Sequence, residues 1–493
     1  MKKMKQLLSI LLCLVLVGSM LVACGKKKET PAESTDTPDA VTETPATTED
    51  EPEVETAEPV TIKLGIWPED TKTADIELHE GFVETFKTTN PNVTVVPSYY
   101  KYATDTFVSM AEAGTLPTIF ESWYTEPQKL IKGGFIADIT DILEERGWLD
   151  VINPSIKELL SKDGRIYGIP RDGYALGLMC NVEMFEEAGL VDADGIPLFP
   201  KTWTELAETA KKIKDSTGQA GICILAKDGA GGWHFTNIAW AFGATFTTQG
   251  DDGKYTANVD SAEAIAAMEY VKSLKWEYDV LTADPTNEDW GSGFVNLGTG
   301  TAAMYIGAND GVAQATQVNG LAVDKLAMTA LPAGPNGLQY SLSGGTPYMF
   351  AKNATVEEIN AALDYLVIMG KAPVASDEAI AGMKADAKSK VASGVPVIPR
   401  FPCWTDEALL SAEAAVTTEF GNVDTKLYQT YFDVLKKEGN LRLEEPSGIA
   451  QDLYSELTKV IQAVITDKNA DIPALMKIAD ENYQKLLDKG PNK

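Results

Sequence analysis

Between Ile62 and Phe120 the chain switches repeatedly between the periodicity of a strand and that of a helix, and this alternation limits the folds open to it. Ile62, Leu64 and Ile66 alternate as a half-buried strand ending at Trp67-Pro68, and Phe82, Val83 and Phe86 follow at helical spacing. Asn90-Pro91-Asn92 breaks that helix before the strand Val93-Thr94-Val95-Val96. A second helix over 107–113 stops at Gly114, and Thr118-Ile119-Phe120 forms the next strand. Strand, helix and strand in this order make βαβ units, hence a parallel sheet with helices on its faces. Such sheets take ligands beyond the carboxyl ends of their strands, which points to Trp67 and to Glu121-Ser122-Trp123-Tyr124.

The chain has 493 residues, more than one hydrophobic core of roughly 250–300 residues supports, so two lobes are expected. Residues 165–170 and 175–181 read as two strands joined through Arg171-Asp172-Gly173-Tyr174. Thr202 with Glu205 makes a capping box that fixes a helix start. Residues 357–493 are mostly helical in pattern, with 396–402 as an irregular interruption.

Several functions are excluded by composition. A formal charge of −30 is incompatible with a nucleic-acid binder, which needs a basic face. The two histidines, His79 and His234, cannot make a multi-histidine metal site, and no phosphate-binding GxxxxGK[ST] loop occurs. Asp192-Ala193-Asp194-Gly195 and Asp251-Asp252-Gly253 lack the remaining calcium-loop ligands and read as turns. No cofactor and no metal are expected.

The amino terminus reads as an export signal over 1–23: three lysines, then an apolar run over 7–22 too short for a spanning helix. It ends in Leu21-Val22-Ala23-Cys24-Gly25, which resembles a bacterial lipoprotein box, with Cys24 as the lipidated residue. Residues 24–59 then hold Thr, Pro and Glu with almost no large aliphatics, the composition of a disordered stalk. The expected location is the outer face of the cytoplasmic membrane, tethered by lipid. Cys180, Cys223 and Cys403 remain, an odd count at wide spacing that reads as buried free thiols.

Five ordered segments resemble the bacterial extracellular solute-binding proteins of family 1, the sugar-binding lipoproteins of ABC importers. They are Leu116-Pro117-Thr118-Ile119-Phe120 with Gly133-Gly134-Phe135; Tyr167-Gly168-Ile169-Pro170 with Asn181, Phe185 and Ala188-Gly189-Leu190; Pro200-Lys201-Thr202-Trp203; Gly300-Thr301-Ala302-Ala303-Met304; and Gly344-Gly345 before Phe350-Ala351. The sequence departs from the family pattern at Thr118, Met179 and Cys180. The resemblance implies an α/β, two-lobe periplasmic-binding-protein-like fold with about three hinge crossings and a helical C-terminal part. By analogy the crossings fall near 171–174, 327–332 and 370–373, giving 60–171 and 332–370 as lobe 1 and 172–331 and 371–493 as lobe 2. It also implies a carbohydrate ligand, ABC permease subunits with a separate ATPase, and a monomer.

A sugar offers an apolar C–H face and a rim of hydroxyls, so its complement is an aromatic plane edged by carboxylates and amides. On that ground Trp67, Glu121, Trp123 and Tyr124 are candidates from the strand ends. Arg171, Asp172 and Tyr174 are candidates from the first crossing, and Trp233 from what reads as a flexible loop at Gly229-Ala230-Gly231-Gly232. Tyr305, Asn309, Asp310 and Trp404 complete the set; Trp290 is an aromatic that core packing explains as well. Two other functions compete with solute capture. A surface carbohydrate-active enzyme would need two carboxylates flanking a glycosidic bond, with Glu121 and Asp172 as the pair. A glycan-binding adhesin or sensor would bind without transport.

Overall fold

The computed structural model describes residues 58–435, 440–443 and 449–493. The expected leader, Cys24 and the stalk to residue 57 lie outside the described residues. The βαβ reading is realised at once: β1 (Val60–Leu64) pairs in parallel with β2 (Val93–Pro97) and, through Leu64, with β3 (Ile119–Glu121). Ile62 and Leu64 are buried while Thr61 and Lys63 face out, the alternation of a strand with one face on a core.

Six further strands join: β4 (Gly168–Asn181), β5 (Ala220–Cys223), β6 (Ala302–Ala308), β7 (Leu326–Thr329), β8 (Ser341–Phe350) and β9 (Leu441–Leu443). The sheet runs β2-β1-β3-β8-β4-β6-β5, with β7 beside β4 and β9 beside β8. Residues 171–174 are therefore the middle of one 14-residue strand and not a link between two. Ser343–Thr346 of β8 pair with Asp172–Ala175, which holds that stretch extended. Arg165–Ile166 forms a separate short hairpin with Ser161–Lys162.

Two hydrophobic cores flank this junction. The first gathers Ile62, Phe86, Phe120, Ile169, Tyr348 and Tyr365; the second gathers Ala175, Trp203, Ile222, Tyr305, Leu342 and Leu457. Strand β4 passes from the first core to the second between Ile169 and Ala175, and β8 returns between Leu342 and Tyr348. The chain crosses again between Phe420, packed on the first core, and Leu427, in the second.

The second and third crossings thus differ from those expected near 327–332 and 370–373. Residues 327–329 belong to β7, inside the second lobe on β4. Gly370, at φ 66, ends the helix Val356–Ile368 and turns it onto the helix Asp377–Ala392, whose Met383 and Ala387 lie in the first core. Gly and Pro mark irregular backbone, and a turn within a lobe needs it as much as a crossing does. Lobe 1 is accordingly built on 60–171 and 347–420, although Val395 and Ile398 within that span pack on the second core, and lobe 2 on 172–346 and 421–493 apart from the undescribed residues. The helical C-terminal part is divided: Asp377–Ala392 and Glu407–Phe420 pack on lobe 1, Ala450–Thr466 and Ile472–Lys489 on lobe 2. Among the described residues no helix is long and apolar enough to cross a membrane. Cys180, Cys223 and Cys403 are free and buried.

Candidate functional site

The carboxyl ends of the parallel strands in both lobes face the junction. A cavity of about 410 Å³ opens there, within the range typical of small-molecule sites. Lobe 1 contributes Trp123, just past β3, whose ring is 41 % exposed and stands edge-on to Tyr102 at 5.2 Å. Lobe 2 contributes Tyr174 from β4, Trp233 and Trp290 from two helix starts, and Tyr454 from the helix Ala450–Thr466. Asp310, just past β6, lines the same cavity, with Thr346 of β8 and Gln451.

The lobe 2 wall is layered. Trp233 meets Tyr174 at 6.1 Å and Trp290 at 5.1 Å, both edge-on, and Trp290 meets Phe294 at 4.7 Å. Behind them lie His234 and Tyr305, 5.6 Å apart and fully buried. Neither nitrogen of His234 has a hydrogen-bond partner among the described residues, and burial lowers its pKa to about 3, so the ring is neutral.

The glycines before Trp233 are not a flexible loop. Ala230–Phe242 is a helix, and a Cβ on Gly232 would lie 2.1 Å from the Tyr454 carbonyl oxygen. Gly232 N–H donates to Thr458 Oγ1 at 2.8 Å, locking the two helices together. The glycines let the helices approach closely and so hold Trp233 still. Gly344 and Gly345 serve β8 in the same way, since Cβ atoms there would strike the Tyr174 and Tyr124 rings at 2.4 and 2.5 Å.

The floor beside this cavity is charged. Arg171 donates from Nη1 to Glu121 Oε2 at 2.8 Å and from Nη2 to Asp172 Oδ2 at 2.6 Å. Asp172 Oδ1 is buried without a partner among the described residues. Asp310 is open to the cavity but walled in closely enough that desolvation, with the Asp172 charge beside it, pushes its carboxyl up to about 7. Arg171 acts in the opposite sense on that carboxyl.

The structure brings Trp123, Tyr174, Trp233 and Asp310 to one cavity and sets Glu121, Arg171 and Asp172 beside it. Other sequence candidates lie elsewhere. Tyr124 is buried and donates to the Asp172 carbonyl at 3.4 Å, so it packs the crossing. Asn309 ties three segments: its Oδ1 accepts from Ala175 N–H at 3.1 Å and Tyr431 O–H at 2.8 Å, and its Nδ2 donates to Gly173 O at 3.3 Å. Tyr305 supports the wall from behind, donating to the Trp290 carbonyl at 3.1 Å. Trp404 is buried in the first core, bridged to Ile152. Trp67 stands edge-on to His79 at 5.3 Å and lines a separate cavity of about 350 Å³ with Tyr99 and Tyr100. None of these five lines the aromatic cavity, whereas Asn309 and Trp404 line a neighbouring cavity of about 190 Å³ together with Arg171, Asp172 and Asp310.

Residues 72–367 match the family described as bacterial extracellular solute-binding protein, more than half of the chain. The chain belongs to that family. A mannitol-binding protein of Pseudomonas aeruginosa is 32% identical over 131 residues, which are 26% of this chain and 28% of that protein. The match therefore spans under a third of that relative's length. The fold is similar to that of an ABC transporter solute-binding protein from Thermotoga lettingae TMO bound with alpha-D-tagatose, at a TM-score of 0.65 and 18% identity, covering 87% of this chain and 100% of that one. It is equally similar to UgpB from Mycobacterium tuberculosis in complex with glycerophosphocholine, at a TM-score of 0.65 and 15% identity, covering 88% and 99%.

As a solute-binding protein of this family, the chain keeps most of its aromatic cavity inside the matched span, but Gln451 and Tyr454 lie beyond it. Sequence reasoning missed those two, because a polar helix start in a helical tail gives no sign of which lobe it will face. Gln451 Nε2 donates to Thr125 Oγ1 at 3.3 Å, a direct bond between the lobes beside the cavity. Trp290 also lines the cavity; the capping box of Asp289 and Ser292 was its one available signal.

Proposed function

We propose that this protein captures a carbohydrate between its two lobes at the outer surface of the cell and hands it to the permease of an ABC importer with a separate ATPase. One observation carries the reading: Trp123 from lobe 1 and Tyr174, Trp233 and Trp290 from lobe 2 line the same cavity, with Asp310 beside them. Indole and phenol faces suit the C–H face of a sugar, and a carboxylate suits its hydroxyls. Because the two walls belong to different lobes, a ligand touching both favours the closed arrangement by its extra contacts there. Mannitol and tagatose, named for two of the similar proteins, agree with this class, whereas glycerophosphocholine, named for a third, does not.

Glycoside hydrolysis is the weaker reading. The carboxylates that would form the acid and base pair, Glu121 and Asp172, both bond to the guanidinium of Arg171, which gathers them on one side. Hydrolysis requires them on opposite faces of the scissile bond. Capture alone accounts for the geometry. Lipidation of Cys24 and tethering by residues 24–59 supply the membrane attachment that capture at the cell surface requires.

The test is a thermal-shift screen of the purified full chain against a glycan panel. Ligand at a hundred times its dissociation constant adds about 2.7 kcal/mol, which raises the melting point by a few degrees. A panel that leaves the melting point unchanged throughout contradicts the reading, as does release of reducing ends from any bound glycan.

A further inference from the structure

Five aromatic residues line the cavity between the lobes, and of its lining residues only Asp310 has an acidic or basic side chain. The nearest guanidinium, Arg171, is already divided between Glu121 and Asp172, so three carboxylates share one arginine around the floor. Asp310 makes no salt bridge among the described residues. Asp310 also lines a neighbouring cavity with Lys371, Lys390 and Arg400, of which Lys390 and Arg400 are paired with Asp386 and Glu413, so the other groups that bear on its charge are Lys371 and Tyr431. Lys371 lines the two neighbouring cavities and not this one.

The aromatic rings act in the same direction as the carboxylates. Each ring presents a negative face, so the rings beside Asp310 add to the attraction for a cation held at its carboxylate. A neutral sugar could hydrogen-bond to Asp310 but would leave the excess negative charge uncompensated. A sugar bearing a carboxylate or a phosphate would add to it.

We infer that the preferred ligand is a sugar bearing a protonated amine, with its pyranose ring against the tryptophans and its ammonium on Asp310. The inference rests on the carbohydrate reading above and narrows it to amino sugars. It also makes binding release a proton near neutrality, because the ammonium favours the ionised form of a carboxyl that titrates at about 7 in the unliganded cleft.

The test is calorimetric titration of the full chain at pH 7 with glucosamine, galactosamine and mannosamine, their N-acetyl forms and the three parent hexoses. For the configuration that fits, the amine should bind about tenfold tighter than both counterparts, as a charge-assisted contact in a partly closed site allows. Repeating the titration in buffers of different ionisation enthalpy should show about half a proton released from Asp310 with the amine and none with the hexose. In Asp310→Asn the amine preference should fall to about twofold or less, and Asp310→Glu should retain it. A preference is a ratio, so a partly folded sample does not mimic its loss. If a hexose or its N-acetyl form binds as tightly as the amine, the inference is overturned while the carbohydrate reading stands. If none of the nine sugars binds, the inference is overturned, and the glycan panel decides the broader reading separately.

Discussion

The two walls of the cleft are built differently. Lobe 1 offers Trp123, one largely exposed ring leaning on Tyr102, whereas lobe 2 offers a stack in which Tyr174, Trp233 and Trp290 are backed by His234, Phe294 and Tyr305. The difference assigns unequal tasks. The stack is held in place by packing and by the close contact of two helices at Gly232, so it is preorganised for a ligand. Trp123 has one ring neighbour among the described residues, Tyr102, and is otherwise open to the cavity.

The largest expected effect comes from removing the support behind the stack. Tyr305→Ala should destabilise the protein by about 3–5 kcal/mol, because a fully buried ring in contact with His234, Trp290 and Phe294 leaves a large void. Denaturant unfolding measures it. An equal loss from Trp123→Ala would break the distinction between the walls.

Next in size are the binding effects of the walls themselves. Trp233→Ala should weaken ligand binding by about 2–3 kcal/mol and also lower stability, since its ring is packed on those of Tyr174, His234 and Trp290. Trp123→Ala should cost about 1–2 kcal/mol of binding with less than about 0.5 kcal/mol of stability, given its exposure. Calorimetry and thermal melts of the two variants separate them.

Much of this was legible in the sequence, for physical reasons. The βαβ order follows from Ile62, Leu64, Phe82 and Phe86, whose spacing leaves one face of each element to bury. The place of Trp123 was legible because it follows a strand at the carboxyl edge of the sheet; Asp310 also follows a strand, but no sequence signal placed it at that edge. Trp404 and Tyr305 both lie outside the aromatic cavity, and an aromatic gives the same sequence signal in a core as in a cleft. The division of the C-terminal helices was hidden in Gly370, which reads identically as a hinge and as a turn. Gln451 depends on which helix end happens to meet Thr125 across the lobes, a contact with no local signature.

A smaller effect is expected at that contact. Gln451→Ala removes the bond to Thr125 and should shift the equilibrium toward the open form by about 0.5–1 kcal/mol. Small-angle scattering of the unliganded protein should show a slightly larger radius of gyration than the parent.

The two histidines give the subtlest comparison, one in each lobe. His79 is lowered to about 4, mainly by burial with Lys371 adding, and its Nδ1 lies 3.0 Å from the Tyr365 hydroxyl; His234, at about 3, has no side-chain hydrogen bond among the described residues. Both favour the neutral ring when folded, so the unfolded chain binds the proton more tightly. Their contribution is complete above pH 6.5 and is lost as the pH falls from there through their folded values. His234→Phe should reduce that acid sensitivity with little cost at neutral pH, while His79→Phe should also lose the bond to Tyr365. Melting temperatures of the two variants between pH 7 and about pH 4.5 check the sign.

The central claim is that one carbohydrate is held between Trp123 of lobe 1 and Trp233 of lobe 2. Calorimetric titration of the parent, Trp123→Ala and Trp233→Ala with the best glycan from the screen tests it directly. The account predicts one ligand per chain and weakened binding in both variants, more so in Trp233→Ala. Parent-like affinity in both would contradict it and place the ligand outside this cavity.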